Sequence, residues 1–189
     1  MKYVIEHLEP RLFKWCILEY RNISKIVGRN NLIFTNMKNE LQQNKLRCFG
    51  KTYLKKVGTL EMKKVILLDP NCEQTLTTDD CKKFGYLVFG GILGDYPPRK
   101  RTKEAFRKIP DAWIRRNLGN KQMATDTAVR VSKMINDGQK LSEINFIDSP
   151  NLQMREFEEV KLPYRYVKGN DGKPIIAKEI IEWIKKKGF

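Results

Sequence analysis

The chain has 189 residues, of which 41% are hydrophobic and 31% are charged, and its formal net charge is +15 at pH 7. The length fits one domain, residues 1–189, and the composition excludes an intrinsically disordered chain. No apolar run reaches the ~20 residues that a membrane helix needs, and charges come too early for a secretory signal. We therefore expect a cytoplasmic protein that does not enter a membrane.

The charge and the cysteines limit the classes of partner and site. A net charge of +15 favours an anionic environment such as RNA or a ribonucleoprotein, although lysines that merely solvate the surface explain it too. Four widely spaced cysteines, Cys16, Cys48, Cys72 and Cys81, accompany a single histidine. This pattern predicts reduced thiols and no metal site.

The first half of the chain alternates between strand and helix patterns. Residues 3–5 form a β-rich run, residues 12–28 have helical spacing that ends at Gly28, and residues 31–37 form a second apolar run. Such a β-α-β unit predicts parallel strands. The polar residues 38–58 predict a helix with irregular flanks.

The second half continues this alternation. Residues 65–68 form the continuous apolar run expected of a strand covered on both sheet faces, and Asp69 follows it. Thr77 or Thr78 is suited to cap the next helix. The later patterns are a strand at 85–91, a short helix at 101–108, a strand at 112–119, a helix at 123–138 closed by Gly138, and a strand at 144–148. The alternation predicts an α/β protein with a mainly parallel sheet flanked by helices.

Glycine-bearing loops follow two of the predicted strands, within residues 89–102 and 118–128. Open α/β sheets bind ligands at the carboxyl ends of their strands, and two such loops together can enclose one ligand. Neither loop has the dinucleotide or phosphate-loop pattern, so a nucleotide-like ligand held by other means is expected. An ordinary strand-to-helix turn, with Thr125 or Asp126 capping the helix start, is the alternative for the second loop.

Several motifs along nearly the whole chain carry a family resemblance. They are YVIEHLE, WxxLEY, FGGILGDYPPR, LGxKQMATDTA, LPYRYV and GKPII. Together they closely resemble the fungal SPOUT-family protein arginine methyltransferases that modify a small-subunit ribosomal protein, and their archaeal and eukaryotic relatives. The resemblance implies a SPOUT-type fold with a C-terminal trefoil knot, within about residues 84–150, and S-adenosylmethionine as the cofactor.

The resemblance places the cofactor between the two glycine-bearing loops. The implied cofactor-binding residues are Phe89, Gly90, Gly91, Leu93, Gly94 and Asp95 from the first loop, and Leu118, Gly119, Gln122, Met123, Thr125 and Thr127 from the second. Glycines leave the backbone open to a ligand, while leucine and methionine side chains offer apolar walls. Met123 fits a core position equally well.

Carboxylates are expected around the substrate, because an arginine acceptor has a pKa above about 12 and is protonated at neutral pH. The catalytic candidates are Asp95, Glu6, Glu19 and Glu9, with His7 beside them. Structural alternatives stay open for four of them: Glu9 fits an acid near a helix start, Glu19 a solvated helix residue, Asp95 a turn former, and His7 a structural histidine.

A basic cluster directly follows the first loop. It comprises Arg99, Lys100, Arg101, Lys103, Arg107 and Lys108. Such a cluster suits phosphate contacts and also suits a solvated helix face. Arg99 and Arg101, together with Tyr164 and Tyr166 as stacking platforms, are the predicted substrate-binding residues.

The resemblance implies an S-adenosylmethionine-dependent protein arginine N-methyltransferase. Its expected substrate is an arginine of a small-subunit ribosomal protein, which it monomethylates, with rRNA contact through the basic cluster. Because most SPOUT enzymes act on RNA, an rRNA or tRNA methyltransferase of the same fold is the alternative, and a binding module without activity is a third hypothesis. Both a monomer and a homodimer are compatible with the sequence.

Overall fold

A six-stranded parallel sheet forms the centre of the protein. The computed structural model describes residues 1–91, 105–106, 109–155 and 158–187. The strands of this sheet are β1 (Lys2–His7), β2 (Leu32–Thr35), β3 (Lys51–Thr52), β4 (Val65–Leu68), β5 (Tyr86–Gly91) and β6 (Ile114–Arg116). Their spatial order is β3-β2-β1-β5-β4-β6, and every neighbouring pair is parallel. The predicted parallel sheet is confirmed.

Helices flank this sheet. They are α1 (Lys14–Val27), α2 (Glu40–Leu46), α3 (Thr78–Lys83), α4 (Thr125–Asn136) and α5 (Lys178–Lys187). Gly28, with φ 81°, ends α1, and Gly138, with φ 109°, follows the end of α4, both as predicted. Thr77 caps α3 by accepting a hydrogen bond from the Asp80 amide.

Alternate side chains of each central strand enter different cores, because successive residues of a strand point to opposite faces. Tyr3 and Ile5 of β1 pack with α1 and α4, whereas Val4 packs with Val65 and Trp113 on the other face. A continuous apolar run such as β4, all four residues of which are buried, is what two covered faces require. The predicted α/β class is therefore confirmed.

The strand predicted at 144–148 does not join the central sheet. It forms β7 (Phe146–Asp148), which pairs antiparallel with β10 (Arg165–Val167), while β8 (Asn151–Arg155) and β9 (Glu158–Lys161) form a separate antiparallel pair. The residues of β7 are half-buried or exposed, so this strand lacks the two covered faces of a central one.

Three sequence expectations concern regions outside this core. The polar residues 38–58 contain the predicted helix, as α2, and also the short edge strand β3. Most of the helix predicted at 101–108, and part of the region predicted to be knotted, lie outside the described residues, so both stay predictions. None of the described helices is long and apolar enough to cross a membrane.

Candidate active site

The ends of β1 and β5 meet beside Tyr20 of α1. His7 is paired with Gly91 in the strand register, and the Leu8 amide donates a hydrogen bond to the Gly91 carbonyl at 3.1 Å. A Cβ on Gly91 would lie 2.5 Å from the Tyr20 hydroxyl and 2.8 Å from Cγ2 of Ile5. Core packing therefore requires a glycine at this position, whereas the sequence pattern indicates only the approach of a ligand.

His7 is fully buried next to this glycine. Its Nδ1 lies 2.9 Å from the Tyr20 hydroxyl, and the two rings meet edge to face with centroids 5.9 Å apart. Burial, together with the charge of Lys38, lowers the pKa of His7 to about 4. Because the imidazole is neutral at pH 7 and enclosed, the geometry favours the structural role over a proton shuttle.

A cavity of about 670 Å³ lies beside the second predicted loop, and Leu118 and Gly119 line it. Its other walls come from the segment leading into α3, from the turn between α4 and β7, and from the β7–β10 pair. The residues that contribute these walls are Thr75–Thr78, Lys140, Leu141, Ser142, Ile144, Phe146 and Arg165. This volume and the aliphatic walls suit a nucleoside-sized ligand.

Asn117 holds the loop that carries Leu118 and Gly119. Its side chain donates to the Cys72 carbonyl at 2.6 Å and accepts from the Gly119 amide at 2.8 Å. Gly119 has a φ of 98°, in the left-handed region that side chains avoid. The loop conformation itself therefore requires a glycine here.

The wall that leads into α3 is fastened to β6 by Asp80. The Asp80 carboxylate completes a capping box with Thr77 and binds the Arg116 guanidinium at 2.9 and 3.0 Å. Burial opposes ionisation of Asp80, but the hydrogen bonds from Arg116 and Thr77 outweigh it and lower the pKa. Because β6 leads directly into Leu118, two walls of the cavity are held together by one carboxylate.

The helix α4 starts directly after the second loop and has no side-chain cap. Its N-cap residue is Ala124, so the predicted capping by Thr125 or Asp126 is wrong. Thr125 and Thr127 are buried at the helix start, at 7% and 3% exposure. Their predicted contact with the cofactor stays a prediction.

Gln122 and Met123, two further cofactor candidates, lie against β10. The Gln122 carbonyl accepts a hydrogen bond from the Arg165 amide at 2.9 Å, and Met123 forms an isolated parallel bridge with Arg165. The half-buried Met123 side chain also packs against the main core, as its structural alternative proposes.

Two carboxyl groups are buried where α1 packs against α4. Glu19 is 4% exposed and Asp126 is 5% exposed. Burial raises the pKa of Glu19 well above its usual range, and the charge of Asp126 raises it further. Burial also raises the pKa of Asp126, although Asn22 donates a hydrogen bond to it at 2.7 Å. Glu19 is thus not a solvated helix residue, and this pair favours either a bound proton or a cation.

Aromatic side chains surround the Glu19 carboxyl group. Trp15, one helical turn earlier on α1, partly stabilises the Glu19 carboxylate, and it meets Trp183 of α5 edge to face with centroids 5.4 Å apart. Tyr166 is 4% exposed, and burial, followed by the charges of Asp126 and Glu19, raises its pKa. Tyr166 is therefore too buried to stack on a base of bound RNA, whereas Tyr164 is half-buried.

The other two described carboxylate candidates occupy different places. Glu6 lies on the opposite sheet face from Glu19, where it accepts hydrogen bonds from the Thr35 hydroxyl and, at 2.9 Å, from the Val57 amide. This arrangement favours a structural role for Glu6. Glu9 is 6% exposed. Burial is the main cause of the raised pKa of Tyr20, and the charges of Cys16, Glu19 and Glu9 add to it in that order. Glu9 therefore lies on the same side of the sheet as Tyr20 and Glu19.

The first loop is described only at its beginning. Phe89 is a core residue, 3% exposed and stacked on Tyr3, so its side chain does not reach a ligand, and Gly90 is half-buried. Predicted site residues that lie outside the described residues are Leu93, Gly94, Asp95, Arg99, Lys100, Arg101, Lys103, Arg107 and Lys108. Their roles stay predictions.

Comparison with known proteins identifies the family. The model of the SFM1-like protein arginine N-methyltransferases matches residues 2–188. The chain belongs to this family. Protein arginine N-methyltransferase SFM1 of Saccharomyces cerevisiae is 39% identical over 203 aligned positions, which cover 98% of this chain and 95% of the yeast protein.

Solved structures agree with the SFM1-like assignment. The yeast arginine methyltransferase SFM1 complexed with SAH matches with a TM-score of 0.89 and 38% identity, over 97% of this chain and 94% of that one. The same yeast enzyme complexed with SAM matches with a TM-score of 0.89 and 40% identity, over 98% and 90% of the two chains. A dual specific Trm10 of Thermococcus kodakaraensis, 17% identical with a TM-score of 0.58 over 76% and 96%, shares the fold.

The sequence alone does not identify some residues of this SFM1-like site. Asp126 reads as a helix-capping candidate, and only the packing of α4 on α1 brings it to Glu19. The cavity walls at 75–78 and 141–146 carry no motif, and their one signal is their position at the start of α3 and between α4 and β7. Arg165 stands inside the LPYRYV motif but has no spacing that marks it as a ligand residue.

Proposed function

We propose that this SFM1-like protein transfers a methyl group from S-adenosylmethionine to an arginine side chain of a small-subunit ribosomal protein, giving monomethylarginine. One observation carries the proposal beyond family membership. Two carboxyl groups with raised pKa values are buried together beside aromatic rings. Glu19 belongs to α1, and Asp126 lies at the start of α4, the helix that follows the cavity loop. Such a site suits a guanidinium, which is cationic and planar.

The cavity provides a place for the cofactor. S-adenosylmethionine, when bound, supplies an electrophilic methyl group on a sulfonium centre. Leu76, Leu118 and Leu141 offer apolar walls for its adenosine part, and the turn at Gly119 brings backbone close to the same space. Structures of the yeast relative complexed with SAM and SAH support S-adenosylmethionine as the cofactor.

The acidic pair provides the chemistry at the acceptor. At neutral pH the raised pKa values favour a proton on the pair, and an arriving guanidinium favours the ionised form instead. The carboxylates then orient the acceptor through paired hydrogen bonds, and Glu19 takes the proton that the guanidinium loses on methylation. Trp15, which stabilises the Glu19 carboxylate, lies beside this pair.

The net charge and the cysteines support the proposed substrate class and compartment. A net charge of +15 suits work on a protein that is surrounded by rRNA. All four cysteines are free, as expected in the reducing cytoplasm, where we place the protein.

A transfer assay tests the proposal directly. The protein receives radiolabelled S-adenosylmethionine with ribosomal proteins, and in parallel with rRNA and tRNA, and the labelled products are digested with protease or nuclease. Protease-sensitive label that hydrolyses to monomethylarginine is the expected result. Nuclease-sensitive label would replace the proposed function with RNA methylation.

A variant pair tests the acceptor role of Glu19. We expect Glu19→Gln to lower turnover by at least about 100-fold, the size typical of a lost acid–base group, with little change in cofactor affinity. Glu40→Gln removes an exposed acid of α2 and serves as the matched control. Calorimetry with S-adenosylhomocysteine shows whether each variant still binds the cofactor, and equal turnover of the two variants would remove Glu19 from the mechanism.

A further inference from the structure

Arg165 presents an oriented guanidinium to the cavity. Its Nε and Nη2 donate to the two carboxylate oxygens of Asp148, at 2.6 and 2.9 Å, and the guanidinium carbon lies 4.9 Å from the centroid of the Phe146 ring. A bidentate ion pair, together with an aromatic ring beneath the guanidinium, fixes the plane of this group. Arg165 is thus held in one orientation by two residues of β7.

The third nitrogen of the Arg165 guanidinium, Nη1, remains available. Nη1 lies 3.8 Å from the position that a Cβ of residue 119 would take, and Arg165 lines the cavity with Gly119. Among the described residues, Nη1 donates no hydrogen bond, while Nε and Nη2 are both engaged. Because Nη1 faces the cavity while the other two nitrogens are engaged, an acceptor atom of a bound ligand is the expected partner.

We propose that Arg165 holds the adenosine part of the cofactor, with Nη1 donating to a neutral acceptor of the base or the ribose. This inference rests on the proposed function, because it assigns one residue toward the same cofactor. Asp148 neutralises the guanidinium and would repel a second carboxylate, so the amino acid tail of the cofactor is disfavoured at this point. The neighbouring walls, Phe146, Leu118 and Ile144, are apolar and suit the base.

Binding of two ligands by calorimetry tests the assignment. S-adenosylhomocysteine carries both the adenosine part and the amino acid tail, whereas 5′-methylthioadenosine lacks the tail. We expect Arg165→Lys to weaken the binding of both ligands by the same factor, about tenfold for one lost hydrogen bond. In turnover assays the KM for the cofactor should rise while kcat at saturation stays unchanged. A purely structural role would instead lower kcat and the unfolding temperature of the unliganded protein.

The controls separate the possible failures. Lys25→Met removes a cation from the exposed Lys25–Glu179 pair and should bind both ligands like the unaltered protein. If Arg165→Lys does not fold, Asp148→Asn serves instead. It removes the carboxylate that orients the Arg165 guanidinium and should weaken the binding of 5′-methylthioadenosine. Unchanged affinity in the folded variant, or a loss confined to S-adenosylhomocysteine, would overturn the assignment. Failure of the unaltered protein to bind either ligand would instead overturn the proposed function.

Discussion

The Tyr20 hydroxyl occupies the space where a side chain on residue 91 would begin. An ideal Cβ on Gly91 would lie 2.5 Å from that oxygen, a distance that real Cβ atoms do not show. The same hydroxyl lies 2.9 Å from Nδ1 of His7. Helix α1 therefore fixes the end of β5, from which the first predicted cofactor loop starts.

Gly91→Ala should destabilise the fold by about 1–3 kcal/mol, as overpacking of a core does. The cost should be smaller in a Tyr20→Phe background, because removal of the hydroxyl relieves the shortest contact. Urea unfolding of the four proteins in this cycle measures the coupling. Gly85→Ala, whose Cβ would meet nothing within 4 Å, is the matched control. Equal costs in both backgrounds would mean that Tyr20 does not confine residue 91.

His7 should stay neutral well below neutral pH. Folding lowers its pKa from 6.5 to about 4, so the unfolded chain binds more protons between these values. The free energy of unfolding should therefore decrease as the pH falls from about 6.5 toward 4.

The measurement on His7 is simple because the chain has one histidine. Its imidazole NMR signals should not titrate between pH 5.5 and pH 8, and the acid-side loss of stability should be smaller in His7→Gln. A midpoint near the usual value would show that the imidazole is open to solvent.

Glu19→Gln should stabilise the protein at neutral pH while abolishing most activity. The folded-state pKa of Glu19 is raised by burial, so the native state binds more protons and stability is lost as the pH rises above about 4.3. We expect a gain of about 1–2 kcal/mol at pH 7, because glutamine removes the cost of keeping a proton on a buried carboxyl group that ionises in the unfolded chain.

The pH dependence identifies the cause of that gain. The difference in unfolding free energy between Glu19→Gln and the unaltered protein should grow as the pH is raised from 4 and then level off. Chemical denaturation at several pH values measures it. A difference that does not vary with pH would mean that Glu19 has an ordinary pKa in the folded protein.

Asp80→Ala should cost about 2–4 kcal/mol, because one change removes the capping box of α3 and leaves Arg116 without its carboxylate. The neighbouring Asp79, whose ion pair with Lys82 is largely exposed, is the matched control, and Asp79→Ala should leave stability unchanged. Thermal unfolding compares the two variants. Equal effects would show that Asp80 does not fasten the cavity wall.

Hydrophobic spacing and helix-end signals predicted much of the fold. The central strands β1, β2, β4 and β5, the end of α1 at Gly28 and the cap at Thr77 follow from local patterns. The strand β7 was predicted, but its partner was not, because a three-residue half-buried strand carries no information about pairing.

The candidate site was likewise predicted only in part from the sequence. Local sequence marked the glycine loops and Glu19, since these carry recognisable residue types beside strand ends and in a family motif. Glu6, His7 and Glu19 look equivalent along the chain, yet strand alternation sends Glu6 to the opposite face and encloses His7 beneath Gly91.

What the sequence by itself determined is the α/β class, the family and the two loops, because each depends on residues that are near one another in the chain. The tertiary structure alone decided that Asp126 meets Glu19, that Tyr20 requires the glycine at 91, and that Arg165 faces Gly119. These are contacts between residues 46 to 107 positions apart, by number in the sequence. Only helix and strand packing sets such distances, and the pKa values and open hydrogen-bond donors of the site follow from that packing.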